Sequence, residues 1–262
     1  VGHILSNARE FIGSDDVLLY FGDNVVLGSL ENFVRKFQEE DLDCCLALSR
    51  VPDPERFGVP EFDISGKLVA VEEKPQSPKS PYAVTGIYLY KAPVYYRAFE
   101  HIRPSARGEY EISDVHDWMI KNNCKVGFEE VTGWWKDTGK PEDLLEGNQL
   151  LLNEMTVEDA IIHPSVSIDA SAKIQGRVKI GMGSVVGPGT LIRGPVVIGE
   201  NTTINGGYIG PHTSIGNGVV ISDTEIEHTI IMDRARIRAK CRIVDSIIGF
   251  SAEIVSERDT IP

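Results

Sequence analysis

Two aspartates and a lysine, far apart in the chain, are the residues best suited to chemistry. Asp23 follows an apolar run in Phe21-Gly22-Asp23-Asn24. Lys74 closes the charged segment Glu72-Glu73-Lys74 before Pro75, and Asp137 sits in Trp134-Trp135-Lys136-Asp137-Thr138-Gly139. Each segment has a plain structural reading by itself: a polar turn, a solvated strand edge, and an aromatic pair followed by a helix start. Together they form a working set. Two carboxylates can converge on one Mg²⁺, which takes one or two carboxylates along with waters and phosphate oxygens. Lys74 offers a point charge to a phosphate, and Glu73 can accept hydrogen bonds from sugar hydroxyls. The chemistry would be phosphoryl-type transfer to a sugar phosphate.

Such groups meet only if a sheet brings strand ends together, since ligands of open α/β sheets settle beyond the carboxyl ends of strands. Residues 17–21 read as a fully buried strand, 30–40 as an amphipathic helix and 44–48 as another buried strand. Strand, helix, strand predicts a parallel α/β unit. Residues 59–63 and 68–72 flank Ser65-Gly66 as a hairpin, and the proline-rich 75–81 is a loop. Residues 82–90 and 125–131 read as strands, and 4–12, 93–100 and 112–122 as helices. Residues 141–153 read as a helix with Leu144, Leu145, Leu151 and Leu152 on one side.

The last part of the chain has a different rhythm. Ile162, Ile168, Ile174, Ile180, Val186, Ile192, Ile198 and Ile204 recur every six residues, with a small or branched residue four places after most of them. That period fits neither a helix nor a simple alternating strand; it fits a solenoid whose units lay short strands on the faces of a prism. Each isoleucine should pack the prism interior. Glycine follows the aliphatic residue at Gly181, Gly187, Gly199, Gly210 and Gly216, where a sharp corner with positive φ is expected. The pattern resembles the hexapeptide repeat of left-handed β-helices. The domains are therefore expected at 1–155 and 156–262.

The 262 residues carry a net charge of −13, which argues against a nucleic acid polymer as partner, because such affinity comes largely from Lys and Arg. A small anionic ligand needs only a few local cations. No apolar run is long enough to span a membrane. Cys44, Cys45, Cys124 and Cys241 have no metal or disulfide spacing, and read as reduced, buried thiols of a cytoplasmic protein.

Six segments occur in an order that resembles the sugar-1-phosphate nucleotidyltransferases. They are Phe21-Gly22-Asp23-Asn24, Phe57-Gly58-Val59, Glu72-Glu73-Lys74-Pro75, Ala83-Val84-Thr85-Gly86-Ile87-Tyr88, Gly108-Glu109-Tyr110-Glu111-Ile112-Ser113-Asp114 and Trp134-Trp135-Lys136-Asp137-Thr138-Gly139. Within that family the chain is most similar to the long, thymidylyl-transferring form that ends in a left-handed β-helix. The resemblance implies an open nucleotidyltransferase-like sheet with flanking helices. It implies Asp23 and Asp137 as Mg²⁺ ligands, Glu73 on sugar hydroxyls and Lys74 on the sugar phosphate. It also implies that the Gly58 backbone meets a glucose hydroxyl and that the Val84 backbone borders the sugar. The reaction implied joins dTTP and glucose 1-phosphate into dTDP-glucose and pyrophosphate, with Asp23, Lys74 and Asp137 as the catalytic set. Glu109, Glu111 and Asp114 are read as structural, with Ser113 or Asp114 capping a helix.

The family's glycine-rich triphosphate loop, with its Arg and following Lys, has no counterpart before Asp23. The chain starts with Val1, so an N-terminal truncation and impaired catalysis are expected. The base-reading residues are also missing, which leaves uridylyl or another nucleotidyl transfer as the alternative. Two further readings stand beside it. One is acyl transfer on the solenoid with His212 or His228 as base. The other is a non-catalytic sugar-nucleotide-binding or assembly subunit. Exposed solenoid ends make a homo-oligomer a candidate assembly.

Overall fold

A computed structural model describes residues 2–106 and 108–255. The chain divides into two units, Val1–Asp137 and Thr138–Pro262.

The first unit opens with two short helices, α1 (Ile4–Asn7) and α2 (Arg9–Ile12), where one continuous helix is expected from the sequence. Then come β1 (Asp16–Tyr20), β2 (Asn24–Leu27), α3 (Glu31–Glu39) and β3 (Cys44–Arg50). They are followed by β4 (Gly58–Phe62), β5 (Leu68–Glu73), β6 (Tyr82–Lys91), α4 (Ala92–Phe99), α5 (Ile112–Lys121), β7 (Val126–Glu130) and β8 (Trp134–Asp137). The main sheet runs β5-β4-β6-β3-β7, with β1 also paired to β6.

The long strand β6 is its spine. Eight consecutive residues of β6, from Ala83 to Tyr90, are buried, because both faces are covered and neighbours pair on both sides. This corrects the expected parallel β1–α3–β3 unit. β1 and β3 both pair antiparallel with β6, Val17 and Cys44 each facing Tyr90, so an antiparallel strand separates them. Among the described residues of this sheet, only β3 and β7 pair in parallel. Nor is β1 fully buried: it alternates between half-buried and exposed residues, with Leu18 46% and Tyr20 41% exposed. Among the described residues β1 pairs with β6 alone, so its outer edge and one face lack cover.

α3 turns Phe33 and Phe37 onto Cys45, Ala47, Ile87 and Leu89, one turn of helix apart as an amphipathic stripe requires. The opposite face of the sheet packs Leu46, Tyr88 and Tyr90 against Tyr95 of α4 and Val115 and Met119 of α5. Cys44 and Cys45 are buried free thiols as expected, but Cys124 is half-buried and Cys241 is exposed, so the reading of four buried thiols holds only for the adjacent pair.

The second unit begins with α6 (Pro141–Glu154) and continues as a parallel β-solenoid from Ser167–Ile168 to Glu253–Val255. Of the four leucines, Leu145 and Leu152 are buried in α6, while Leu144 and Leu151 are exposed, so the expected four-leucine side narrows to two. The helix belongs spatially with the solenoid that follows it.

Val178 pairs with Val196 and Ile180 with Ile198, so three six-residue units complete one coil. Later coils are shorter by one or two residues: Val196 pairs with Thr213, and Ser214 with Ile230. Three faces result. One stacks Ile174, Ile192 and Ile209; another Ile180, Ile198 and Ile215; the third Ile168, Val186, Ile204, Ile221 and Ile237. Apart from that of Ile168, their side chains fill the prism. Ile162 and Ile168 depart from that expectation: they are exposed, since they belong to the first coil and have a neighbouring coil on one side only.

The glycine corners have a different cause from the expected one. Positive φ belongs to Gly176, Gly183, Gly189, Gly206, Gly207 and Gly218, not to Gly181, Gly187, Gly199, Gly210 or Gly216. Those five lack a side chain because the next coil leaves no room. A Cβ on Gly181 would lie 2.7 Å from the carbonyl carbon of Gly199. On Gly199 it would lie 2.5 Å from Asn217 Oδ1, and that oxygen accepts the Glu200 N–H at 2.7 Å. Ser184 and Thr202 point inward at the corners and donate to the carbonyls of Gly199 and Gly216, both at 2.8 Å. Buried hydroxyls there satisfy backbone groups that no strand partner reaches.

Candidate functional site

β4 is the centre of the site. Gly58, its first residue, faces Glu73 of β5 on one side and Val84 of β6 on the other, so Glu73, Gly58 and Val84 form a row across three strands. Lys74 leaves this row at the end of β5 with φ 47°, its N–H donating to the Phe57 carbonyl at 2.9 Å. The turn places Lys74 Nζ 3.9 Å from Glu73 Oε1, with half of the lysine side chain still in solvent. Ser113, near the start of α5, donates to Glu73 Oε2 at 2.6 Å. Gly58 is small for a visible reason: a Cβ would come within 2.8 Å of Ser113 Oγ and 3.4 Å of Glu73 Oε2.

A second pairing completes the site. β2 runs antiparallel to β8, with Asn24 facing Asp137, so Asp23 lies one residue from the partner of Asp137. Asn24 is only 8% exposed, and both ends of its amide are used. Its Oδ1 accepts the Gly86 N–H at 2.9 Å and the Trp135 Nε1–H at 2.6 Å, and its Nδ2 donates to Asp23 Oδ1 at 2.8 Å. Gly86 makes room for it, since a Cβ there would lie 2.5 Å from Asn24 Nδ2.

These strand ends surround a pocket of about 210 Å³. Asp23, Gly58, Glu73, Lys74, Val84 and Asp137, the six residues expected from the sequence, all line it. A larger cavity of about 680 Å³ adjoins and shares Glu73, Lys74 and Glu111, but neither Asp23 nor Asp137 reaches it. On its wall the Asp114 carboxyl is pushed up by burial, with help from Glu111, Asp117 and Glu73. Two lysines of that cavity are occupied by carboxylates, Lys79 by Glu61 at 2.6 Å and Lys121 by Asp117 at 2.5 Å. The smaller pocket, which gathers all six expected residues, is therefore the candidate site.

Asn24 and Ser113 are the residues that sequence reasoning missed in this role. Asn24 was legible only as part of a turn. Ser113 was expected to cap α5, but the N-cap is Glu111 without a side-chain cap bond, and the serine turns to Glu73 instead. Likewise Lys140, not Asp137 or Thr138, stands at the N-cap of α6, and Asp137 belongs to β8.

Among the described residues no group of three or more His, Cys, Asp and Glu could hold a metal ion. The pocket offers instead a pair of carboxylates, Asp23 in the turn just before β2 and Asp137 at the end of β8, beside a lysine. That donor set fits magnesium, which completes its shell with water and phosphate oxygens, and does not fit a metal needing a full protein cage.

The histidines considered for acyl transfer lie in the solenoid unit. His228 Nδ1 is 2.5 Å from Asp245 Oδ1, and His212 Nε2 is 2.9 Å from Asn153 Oδ1 of α6. His228 Nε2, the nitrogen that would act as base, is sealed from solvent and has no partner.

Residues 3–154 match the family model described as Nucleotidyl transferase. Residues 159–194 match the bacterial transferase hexapeptide (six repeats), and 192–258 the GMPPB C-terminal domain. The glucose-1-phosphate thymidylyltransferase of Streptomyces griseus is 38% identical over 256 residues, covering 98% of this chain and 70% of that protein. The low-salt glycan biosynthesis nucleotidyltransferase Agl11 of Haloferax volcanii is 34% identical over 263 residues, 100% of this chain and 72% of that protein. Among solved structures, a Bacillus anthracis protein assigned as a glucose-1-phosphate thymidylyltransferase, in complex with sucrose, is similar. It superposes with a TM-score of 0.52 at 37% identity, over 57% of this chain and 60% of that one. No described helix is long and apolar enough to cross a membrane. With one family model spanning more than half of its residues and relatives matched along nearly all of them, this chain belongs to the nucleotidyl transferase family.

Proposed function

We propose that the pocket binds glucose 1-phosphate with Mg²⁺, and that the chain serves the transfer of a thymidylyl group from dTTP to that sugar phosphate. The observation that carries this reading is the meeting of Asp23, Gly58, Glu73, Lys74, Val84 and Asp137, spread over most of the first unit, around one small pocket. Asp23 and Asp137 would hold the Mg²⁺, which, when bound, neutralises charge on the phosphates of both substrates. Glu73, held by Ser113, would accept hydrogen bonds from the sugar hydroxyls. The uncovered backbone at Gly58 and the backbone of Val84 would border the ring. Lys74 would pair with the sugar phosphate, whose oxygen attacks the α-phosphorus of dTTP in line as pyrophosphate leaves. No covalent nucleophile is needed, so positioning and electrostatics supply the rate.

Titration calorimetry of the whole chain with glucose 1-phosphate and Mg²⁺ tests the binding half. Binding should weaken at least tenfold in Lys74→Ala and in Asp137→Asn; equal binding by wild type and both variants refutes the assignment. Pyrophosphate release with dTTP, measured against UTP and the other nucleoside triphosphates, tests the transfer half. A preference for UTP would favour the uridylyl alternative; sugar-phosphate binding without turnover on any triphosphate would fit either the impaired catalysis expected without a triphosphate loop or a binding or assembly subunit, and full turnover would refute the impairment.

A further inference from the structure

Both polar atoms of the buried Asn24 side chain are engaged within the sheet unit. Its amide oxygen takes hydrogen bonds from β6, at the Gly86 N–H, and from β8, at Trp135 Nε1. Its amide nitrogen gives one to Asp23. The backbone is engaged as well: the carbonyl accepts from the Tyr20 hydroxyl at 3.1 Å, and the residue pairs with Asp137 across β2 and β8. A buried amide with two accepted bonds and one donated bond cannot rotate without breaking all three, so it can occupy only one orientation.

We propose that Asn24 is a positioning residue that sets the Asp23 carboxylate against the strand carrying Asp137, and thereby sets the affinity of the pocket for its divalent cation. The inference rests on the reading of Asp23 and Asp137 as the cation ligands. Asp23 itself is on an exposed turn after Gly22. The bond donated by the locked Asn24 amide fixes where its Oδ1 can lie. Because the same amide also holds Trp135, whose strand ends at Asp137, the two carboxylates are referred to one fixed group. Residues that orient a metal-binding carboxylate usually account for roughly 10–100-fold in metal affinity.

Mn²⁺, followed by electron paramagnetic resonance on the whole chain, is the probe, because it takes the same oxygen donors and reports binding without turnover. Four proteins separate the outcomes: wild type, Asp23→Asn, Asn24→Leu and Trp135→Phe. Wild type should bind Mn²⁺ and Asp23→Asn should not. If wild type fails to bind, or Asp23→Asn binds equally well, the cation reading beneath this inference is wrong. Given that difference, Asn24→Leu, matched in shape but unable to donate, should bind roughly 10–100-fold more weakly while circular dichroism shows the fold retained. Wild-type affinity in a folded Asn24→Leu overturns the positioning role. Should Asn24→Leu not fold, Trp135→Phe gives the answer. It keeps Asn24 but removes one of its restraints, and should weaken Mn²⁺ several-fold; unchanged affinity there overturns the proposal.

Discussion

Side-chain hydrogen bonds between successive coils of the solenoid connect residues 14 to 18 positions apart, as from the Thr202 hydroxyl to Gly216 and from the Thr202 amide to Ser184. Those that join separate elements around the pocket connect residues 40 to 111 positions apart, from Ser113 to Glu73, Gly86 to Asn24 and Trp135 to Asn24. The solenoid is thus assembled from one repeated local decision. The pocket depends on several unrelated ones that must all be met by the sheet. The first arrangement resists loss by redundancy across rungs; the second concentrates its dependence on a few polar groups.

The sharpest way to break that contrast is to hollow one rung. Ile204 is buried in the prism, and Ile204→Ala should cost about 3 kcal/mol in urea unfolding, by lost transfer energy and an unfilled cavity. A loss below about 1 kcal/mol would mean that the prism is not close-packed. Next comes steric crowding between coils. Gly181→Ala puts a Cβ against the backbone of Gly199 and Glu200, where no flexible side chain can yield, and should cost about 2 kcal/mol. An unchanged unfolding midpoint would show that the coils can part without penalty. Neither change should alter sugar-phosphate affinity in the first unit.

The pocket should behave in the opposite way. Ser113→Ala removes a hydrogen bond to a carboxylate and should weaken glucose 1-phosphate binding by about 1.5 kcal/mol, roughly tenfold, with little loss of stability. If calorimetry finds the same affinity, Glu73 does not need the serine to face the ligand. A last test, silent at neutral pH and growing as acid is added, separates the two ways of burying polarity. The solenoid buries neutral hydroxyls, whereas the sheet unit buries His116, with Nε2 2.6 Å from the Tyr90 hydroxyl and Nδ1 unpartnered. Burial pulls the His116 pKa from 6.5 down to about 3. The folded protein therefore resists a proton that the unfolded chain accepts. Above pH 6.5 His116 makes no difference. Between 6.5 and about 3 it lowers stability by about 1.4 kcal/mol per pH unit as the pH falls. His116→Gln should flatten the dependence of urea stability on pH in that window, and an unaltered slope would assign acid sensitivity elsewhere.

The same difference in reach explains what could be read beforehand. The isoleucine step was legible because each repeat carries its own copy of the instruction. The reason for Gly181 and Gly199 was not, because it lies in the backbone of the next coil rather than in local torsion. In the first unit, charges at strand ends revealed Asp23, Glu73, Lys74 and Asp137 as candidates. Their supports stayed hidden: Ser113 looked like a cap and Asn24 like a turn residue until β4, β6 and β8 were placed around them. The β1–α3–β3 order was misleading for a similar reason. Nothing in residues 16–50 announces that an antiparallel strand from 82–91 will slip between its two strands.

The shortening of successive coils has its own consequence. Val178 and Val196 are separated by three full units, yet Val196 and Thr213, then Ser214 and Ile230, close the circuit with fewer residues. Throughout, aliphatic side chains still meet aliphatic side chains inside the prism. Length has therefore been trimmed where the chain bends and never along a face, since one residue removed from a face would turn every later side chain inside out. A residue added or removed in this half of the protein should therefore be tolerated at the bends rather than along a face, and a loop grafted there should leave the stacked rungs undisturbed.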